Sequence, residues 1–463
     1  MALNTPGYSL TPAPSQVALS SNYITNFDFL NQYLPDTYEK EFERYGNRSV
    51  SSFLRMVGAE MPSNSDLIKW AEQGRLHIKY TSVSSSDTVG GADTATLTVA
   101  DAGVTAAAVR AGQTIMISDN LTGSTLTNKA IVLSVTGLTI NVAFYEAAGQ
   151  AAYTGSVTIF IYGSEFAKGT EGMTGSLEAE DEIFENKPII IKDKYAVSGS
   201  DMAQIGWVEV TTENGANGYL WYLKSEHETR LRFEDYLETA MVESVPMDNT
   251  TNANLAAGSE GLFYVLEDRG NVWSGGNPTT LDDFDSIVTR LDKQGSIEEN
   301  VLFLDREFSF DIDDMLATLS GFAGGAGASA NSASFGLFDN DRDMALNLGF
   351  SGFRRGYDFY KSDWKYLNDI TMRGGLVGGS VSGVLVPAGS TTVYDQVLGK
   401  NAKRPFLHVR YRASQTEDRR MKTWITGSAG GASNSDLDAM EVHFLSERAL
   451  CTLGANNFVL FKD

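Results

Sequence analysis

The sequence predicts an α+β protein interrupted by an all-β module, and three features carry that prediction. Residues 75–163 alternate apolar positions with Thr and Ser at a period of two. Leu220–Val245 follow one uninterrupted helical pattern that stops before Pro246, which cannot continue it. Residues 250–400 mix helical and strand patterns, and residues 404–463 close the chain with strands.

Composition narrows the function classes. The chain has 463 residues and a net charge of -23, from 36 Lys plus Arg against 59 Asp plus Glu. That balance argues against gripping nucleic acid through the whole surface, because phosphate contacts need a basic footprint. Hydrophobic residues at 42% and aromatics at 11% exclude a wholly disordered chain. The length suggests about three domains and ample core. A single cysteine, Cys451, permits neither an internal disulfide nor a thiolate zinc site, and reads as a small buried residue. No two of His77, His227, His408 and His443 lie four residues apart, so a metalloprotease helix is absent. No Lys or Arg precedes Lys40, and apolar runs such as Val157–Tyr162 fall far short of the roughly 20 residues that span a bilayer. The expectation is a protein made inside the cell, without secretory signal or membrane anchor.

In chain order, residues 1–36 read as an extended arm. Pro6, Pro12, Pro14 and Pro35 interrupt helices, while Tyr8, Tyr23, Phe27, Phe29, Leu30, Tyr33 and Leu34 give the arm apolar groups that want cover. Tyr38, Phe42, Tyr45, Val50, Phe53, Leu54 and Val57 recur at helical spacing, and a further helix is expected from Ser63-Asn64-Ser65 through Leu67, Ile68, Trp70 and Ala71. Within 75–163, the pairs Leu97/Val99 and Ile115/Ile117, then Ile140/Val142/Phe144 and Val157/Ile159/Ile161, mark half-buried strands of a small sandwich or barrel. Residues 164–215 hold an acidic run at Glu178, Glu180, Asp181, Glu182 and Glu185 and strand patterns at Ile189–Ile191 and Ile205–Val210. They suggest a glycine-hinged limb with the β-module near its tip. The long helix carries Leu220, Leu223, His227 and Leu231 on one stripe, then Phe233, Leu237 and Met241 on another; it is about 40 Å long at 1.5 Å per residue. Helices are expected over Leu281–Gln294 and Ser309–Leu319, a strand over Val301–Leu304, and a small-residue loop over Gly321–Ser334. The closing strands Phe406–Tyr411, Thr423–Thr426, Glu441–Leu445 and Asn457–Phe461 look antiparallel, with a flexible loop at Gly427–Asn434.

No motif carries catalysis. A phosphate-binding loop is missing, and Gly325–Ala330 fits a dinucleotide fingerprint only by coincidence, since no strand leads into it. Asp339, Asp341 and Asp343 copy the first ligands of a calcium loop. Met344 replaces the turn glycine and Phe350 the bidentate glutamate, which leaves at most a looser cation site. Asp311, Asp313 and Asp314 and the run at 178–185 are acidic clusters whose plain reading is a solvated face. Two basic groups stand out: Arg354, Arg355, Lys361 and Lys365, then Lys400, Lys403, Arg404, Arg410, Arg412, Arg419, Arg420 and Lys422. They are expected to face acidic surfaces, those of other subunits ahead of nucleic acid.

The order of aromatic arm, long limb, rod helix, α/β lobe and returning strands resembles the major capsid protein of tailed bacteriophages, of the Hong Kong 97 type. Gly163–Asp201, Leu220–Val245 and Lys422–Phe461 carry most of the likeness, and the closing run is similar to capsid proteins of short-tailed phages, the crAss-like group among them. The resemblance implies an N-terminal arm with short helices (1–62), an E-loop limb (63–74 and 164–215), an inserted β-sandwich or barrel (75–163), a spine helix with peripheral domain (216–260), an axial domain (261–403) and peripheral C-terminal strands (404–463). It implies a non-enzymatic, cofactor-free subunit that forms hexamers and pentamers around packaged double-stranded DNA. Portal and decoration or head-fibre proteins would be its partners, the virion capsid its place, and the host bacterial cytoplasm its site of synthesis. Phe27, Phe29, Leu30, Tyr33 and Leu34 would be the inter-subunit anchors. Some members join an E-loop lysine to a neighbouring asparagine; Lys168 and Lys187 lie on the limb here, but no catalyst or partner is marked, so the cross-link is not carried over. Two other classes stay open: a carbohydrate-active enzyme with a glycan-binding β-module, which needs two facing carboxylates, and a fibre or adhesin, which would favour tandem β-repeats.

Overall fold

The period-two pattern in the stretch 75–163 becomes a closed barrel. In the computed structural model its strands run in the order Ser156–Ser164, Lys79–Ser85, Thr94–Val99, Thr139–Phe144, Thr127–Thr136 and Gln113–Asp119, which pairs back to the first. The structure describes residues 4–5, 8–9, 50–51, 53–54, 59–86, 93–121, 124–146, 153, 155–175, 181–202, 209–211, 217–219, 221–247, 258–319, 352–376, 378–395, 400–431 and 433–462. These fall into two compact units. Ser65–Lys187 with Cys451–Ala455 form one; Met1–Asn64, Pro188–Leu450 and Asn456–Asp463 form the other.

In the barrel unit, alternate residues point inward. Val83, Leu97, Ile115, Ile117, Ile140, Val142 and Val157 are fully buried at 0% exposure, while most residues between them on their strands are half-buried or exposed. Closure pairs every strand on both sides and leaves no free edge. Gly137, at φ +61°, supplies the left-handed turn between the two strands that end and begin at Thr136 and Thr139. Beside the barrel, Ile68–Gln73 pairs with Asp181–Asn186 as a two-stranded antiparallel ribbon. This corrects the helix expected from Ser63-Asn64-Ser65. The apolar positions there also suit a strand, and the partner that decides between the two readings lies more than a hundred residues further along the chain.

Among the described residues, the larger unit is built on two large sheets, beside two-stranded pairs at Asn4–Thr5 with Tyr8–Ser9, Glu209–Thr211 with Asn217–Tyr219 and Ser390–Asp395 with Lys400–Pro405. One has five strands, ordered Ile189–Ser198, Ala439–Thr452, Leu407–Arg412 and Ala59–Ser63, with Lys422–Gly427 also on Ala439–Thr452. The long helix, Trp221–Glu243, lays Phe233 and Leu237 on Met440, Val442 and Phe444 of this sheet. His227, expected on its apolar stripe, is exposed instead.

The second sheet has six strands, ordered Asn271–Trp273, Val459–Lys462, Val381–Pro387, Glu299–Leu304, Tyr357–Asp363 and Gly352–Arg355. Helices Leu281–Gln294 and Arg306–Leu319 cover one face through Phe284, Ile287, Leu291, Phe308 and Ile312, packed against Leu302, Leu304, Leu385 and Phe461. The other face buries Phe303, Val384, Val386 and Leu460 with Phe53, Met241, Phe263 and Trp364. With both faces covered, Val381–Pro387 is buried along its whole length. Leu281–Gln294 begins with a capping box between Thr280 and Asp283 and ends at Gly295 in the left-handed conformation, φ +73°.

The closing strands are not all antiparallel. Leu407–Arg412 runs parallel to Ala59–Ser63, and Val459–Lys462 runs parallel to Asn271–Trp273. The loop after Lys422–Gly427 is tied down: Asn434 accepts from the Gly427 amide at 2.9 Å and donates to the Ile425 carbonyl at 3.1 Å. Gly427 sits at φ +127°, where an added Cβ would meet the Ala439 carbonyl oxygen, so only glycine fits.

Candidate assembly surfaces

Two regions are placed to serve contact, and a third, expected from sequence to do so, is not. The first is where the N-terminal segment enters the larger unit. Val50, Phe53 and Leu54 are buried, as their helical spacing predicts. Phe53 stacks on Trp364 at 4.3 Å and meets Phe303 edge-on at 4.6 Å. The backbone is held as firmly as the ring. Asp235 of the long helix accepts from the amides of Val50 at 2.9 Å and Ser51 at 3.1 Å, and Glu238 accepts from that of Phe53 at 3.0 Å. Amides entering a helical turn have no partner within the turn, and a carboxylate answers both their hydrogen bonds and their partial charge. Asp235 and Glu238 are each only 6% exposed. Neither residue was singled out from the sequence. The signal was present: Leu231, Asp235, Glu238 and Val242 share one helical stripe at spacings of four, three and four. The predicted anchors Phe27, Phe29, Leu30, Tyr33 and Leu34 lie outside the described residues, as do Asp339, Asp341 and Asp343.

The second region is the ribbon in the barrel unit. Trp70 lies opposite Phe184, ring centres 6.3 Å apart, and the Trp70 indole donates to Glu72 at 3.0 Å. Glu72 also accepts from the Gly454 amide at 2.9 Å. On the opposite face Ile183 is 67% exposed, with Asp181 and Glu185 beside it on its strand. Lys69 pairs with Glu185 at 2.9 Å across the ribbon.

The third region corrects the reading of the basic groups. Many of their members meet carboxylates of their own chain. Arg355 grips Asp285 through two nitrogens at 2.5 and 2.6 Å, holding the aspartate below the usual carboxylate range. Arg354 pairs with Asp358 at 3.3 Å, and Lys361 pairs with Asp313 in a nearly buried contact that also reaches the Ser309 carbonyl at 3.1 Å. Glu447, buried, lies between Arg412 at 3.3 Å and Arg419 at 3.0 Å. Glu60 lies between Arg420 and Arg448. Arg448 is buried too; desolvation pulls its guanidinium below its ordinary value while Glu60 pushes it back, and it donates to Ser446 at 2.8 Å and to the Arg420 carbonyl at 2.9 Å. Desolvated charges need such partners, so this cluster bonds strands to one another within the chain. Lys400 and Lys403 have side chains outside the described residues.

His408, on the strand beside Ala59–Ser63, is 3% exposed. Burial, then the nearby Arg404 and Arg410, pull its pKa down to about 4. Of the acidic cluster on Arg306–Leu319, Asp311 accepts from the Asn277 amide at 2.8 Å and Asp313 is taken by Lys361. Among the described residues no group of three His, Cys, Asp or Glu side chains could hold a metal ion, and no helix is long and apolar enough to cross a membrane. Cys451 is buried, as read from its apolar neighbours.

No family model matches the chain, and no curated protein matches it. Solved structures similar to it include a chain from Microbacterium phage Oxtober96, at 9% identity over 95% of this chain and 99% of that one, with a TM-score of 0.39. A second comes from the asymmetric unit of the bacteriophage PhiM1 mature capsid, at 8% identity over 92% and 91%, with a TM-score of 0.40. A third comes from the capsid structure of Cyanophage P-SCSP1u, at 10% identity over 93% of each chain, with a TM-score of 0.39.

Proposed function

We propose that the chain is a phage major capsid protein, a non-catalytic subunit that assembles through hexamers and pentamers into the icosahedral head of a tailed phage. One observation carries the reading. A lone two-stranded ribbon is marginal in water, and this one leaves Ile183 exposed on an acidic face. Such a limb gains stability when a second copy covers it, and repeated head-to-tail contacts of that kind close rings. The anchored entry at Val50–Phe53 supports the same reading, because it fixes the base of an arm whose apolar residues Phe27, Phe29, Leu30, Tyr33 and Leu34 would dock on a neighbour. The order of arm, ribbon, rod helix, α/β sheet and returning strands is the further support. In this reading the limb is the E-loop, 216–260 and 404–452 the peripheral domain, and the barrel an insertion; 261–403 is the axial domain, and Val459–Lys462, expected among the peripheral strands of 404–463, goes with it because it pairs into the six-stranded sheet. Packaged double-stranded DNA, portal, and decoration or head-fibre proteins are the partners, in a virion assembled in the bacterial cytoplasm; kinship to crAss-like phages belongs to the same proposal.

Size-exclusion chromatography and negative-stain microscopy of the full chain test it. Shells, tubes or hexameric rings are expected; a chain that stays monomeric when concentrated overturns it. Phe29→Asp with Leu30→Asp should abolish regular shells, and normal shells from that variant would remove the arm assignment.

A further inference from the structure

We draw no further inference here: the strongest candidate, the polar cavity between Ser51 and Leu54, the long helix and the five-stranded sheet, is lined by the carboxylates Glu60, Glu234, Glu238 and Asp418, but its two arginines, Arg420 and Arg448, are already held by Glu60, and nothing in the structure shows what fills it.

Discussion

Arg373 holds both carboxylate oxygens of Glu243, at 2.5 and 2.6 Å, from 130 residues further along the chain. Glu243 is the last residue of the long helix, where the partial negative charge of the helix end disfavours an acid. The guanidinium offsets that. It also lies 4.6 Å from the Phe263 ring and donates to the Gly379 carbonyl at 3.0 Å, while the Tyr366 hydroxyl donates to Glu243 at 2.7 Å. The helix end is thereby locked to the segment that follows Trp364. Arg373→Ala should cost about 2 kcal/mol, below the usual figure for breaking a buried pair because Glu243 is partly exposed. Arg373→Lys should recover only part, since an ammonium cannot make the two-pronged contact. Urea unfolding decides: a loss under about 0.5 kcal/mol for the alanine variant would show that the pair does not lock the helix.

Asp235 and Glu238 should control the N-terminal entry. Asp235→Ala strands two amides and should cost about 2 kcal/mol or more. Asp235→Asn keeps an acceptor and should cost less. Under limited proteolysis, the Asp235→Ala, Glu238→Ala chain should be cut N-terminal to Ala59 well before the parent. Equal cleavage rates would mean that Phe53 packing alone retains the segment.

His408 makes stability depend on acid. Its folded pKa, about 4, lies below its unfolded value near 6.5, so the unfolded chain binds the extra proton. Its contribution is complete above pH 6.5 and is lost as the pH falls toward 4, by at most about 3 kcal/mol. His408→Leu should flatten that limb of the stability curve. Identical slopes between pH 6.5 and 4 in the two proteins would mean that His408 takes up its proton while folded.

Ile183→Asp should separate folding from assembly. The side chain is two-thirds exposed in the chain by itself, so the thermal midpoint of the unassembled protein should move little. Particle formation in the microscope should fall sharply. Normal particles from this variant would place the covered face elsewhere.

Local pattern told a great deal in some stretches and misled in others. Ile115 and Ile117, or Val157 and Ile159, mark barrel strands because a half-buried strand writes its period directly into the chain. The long helix was equally legible, since Pro246 and an unbroken pattern bound it. Trp70 was not: its neighbours fit a helix until Phe184 arrives across the ribbon. Arg412, Arg419 and Arg420 looked outward-facing because the run of charges is local, while Glu447 and Glu60, which neutralise them, are remote in sequence.

By itself, then, the sequence determined the periodic elements, the acidic balance and the absence of a recognisable catalytic motif, all properties of short windows or of sums. Only the tertiary structure decided which carboxylates turn inward to receive amides and arginines, that Ile68–Gln73 is a strand, and that Val459–Lys462 joins the six-stranded sheet. The physical reason is that a buried charge or an unpaired strand edge is tolerable only beside its partner. Those partners were supplied by folding, from positions far along the chain.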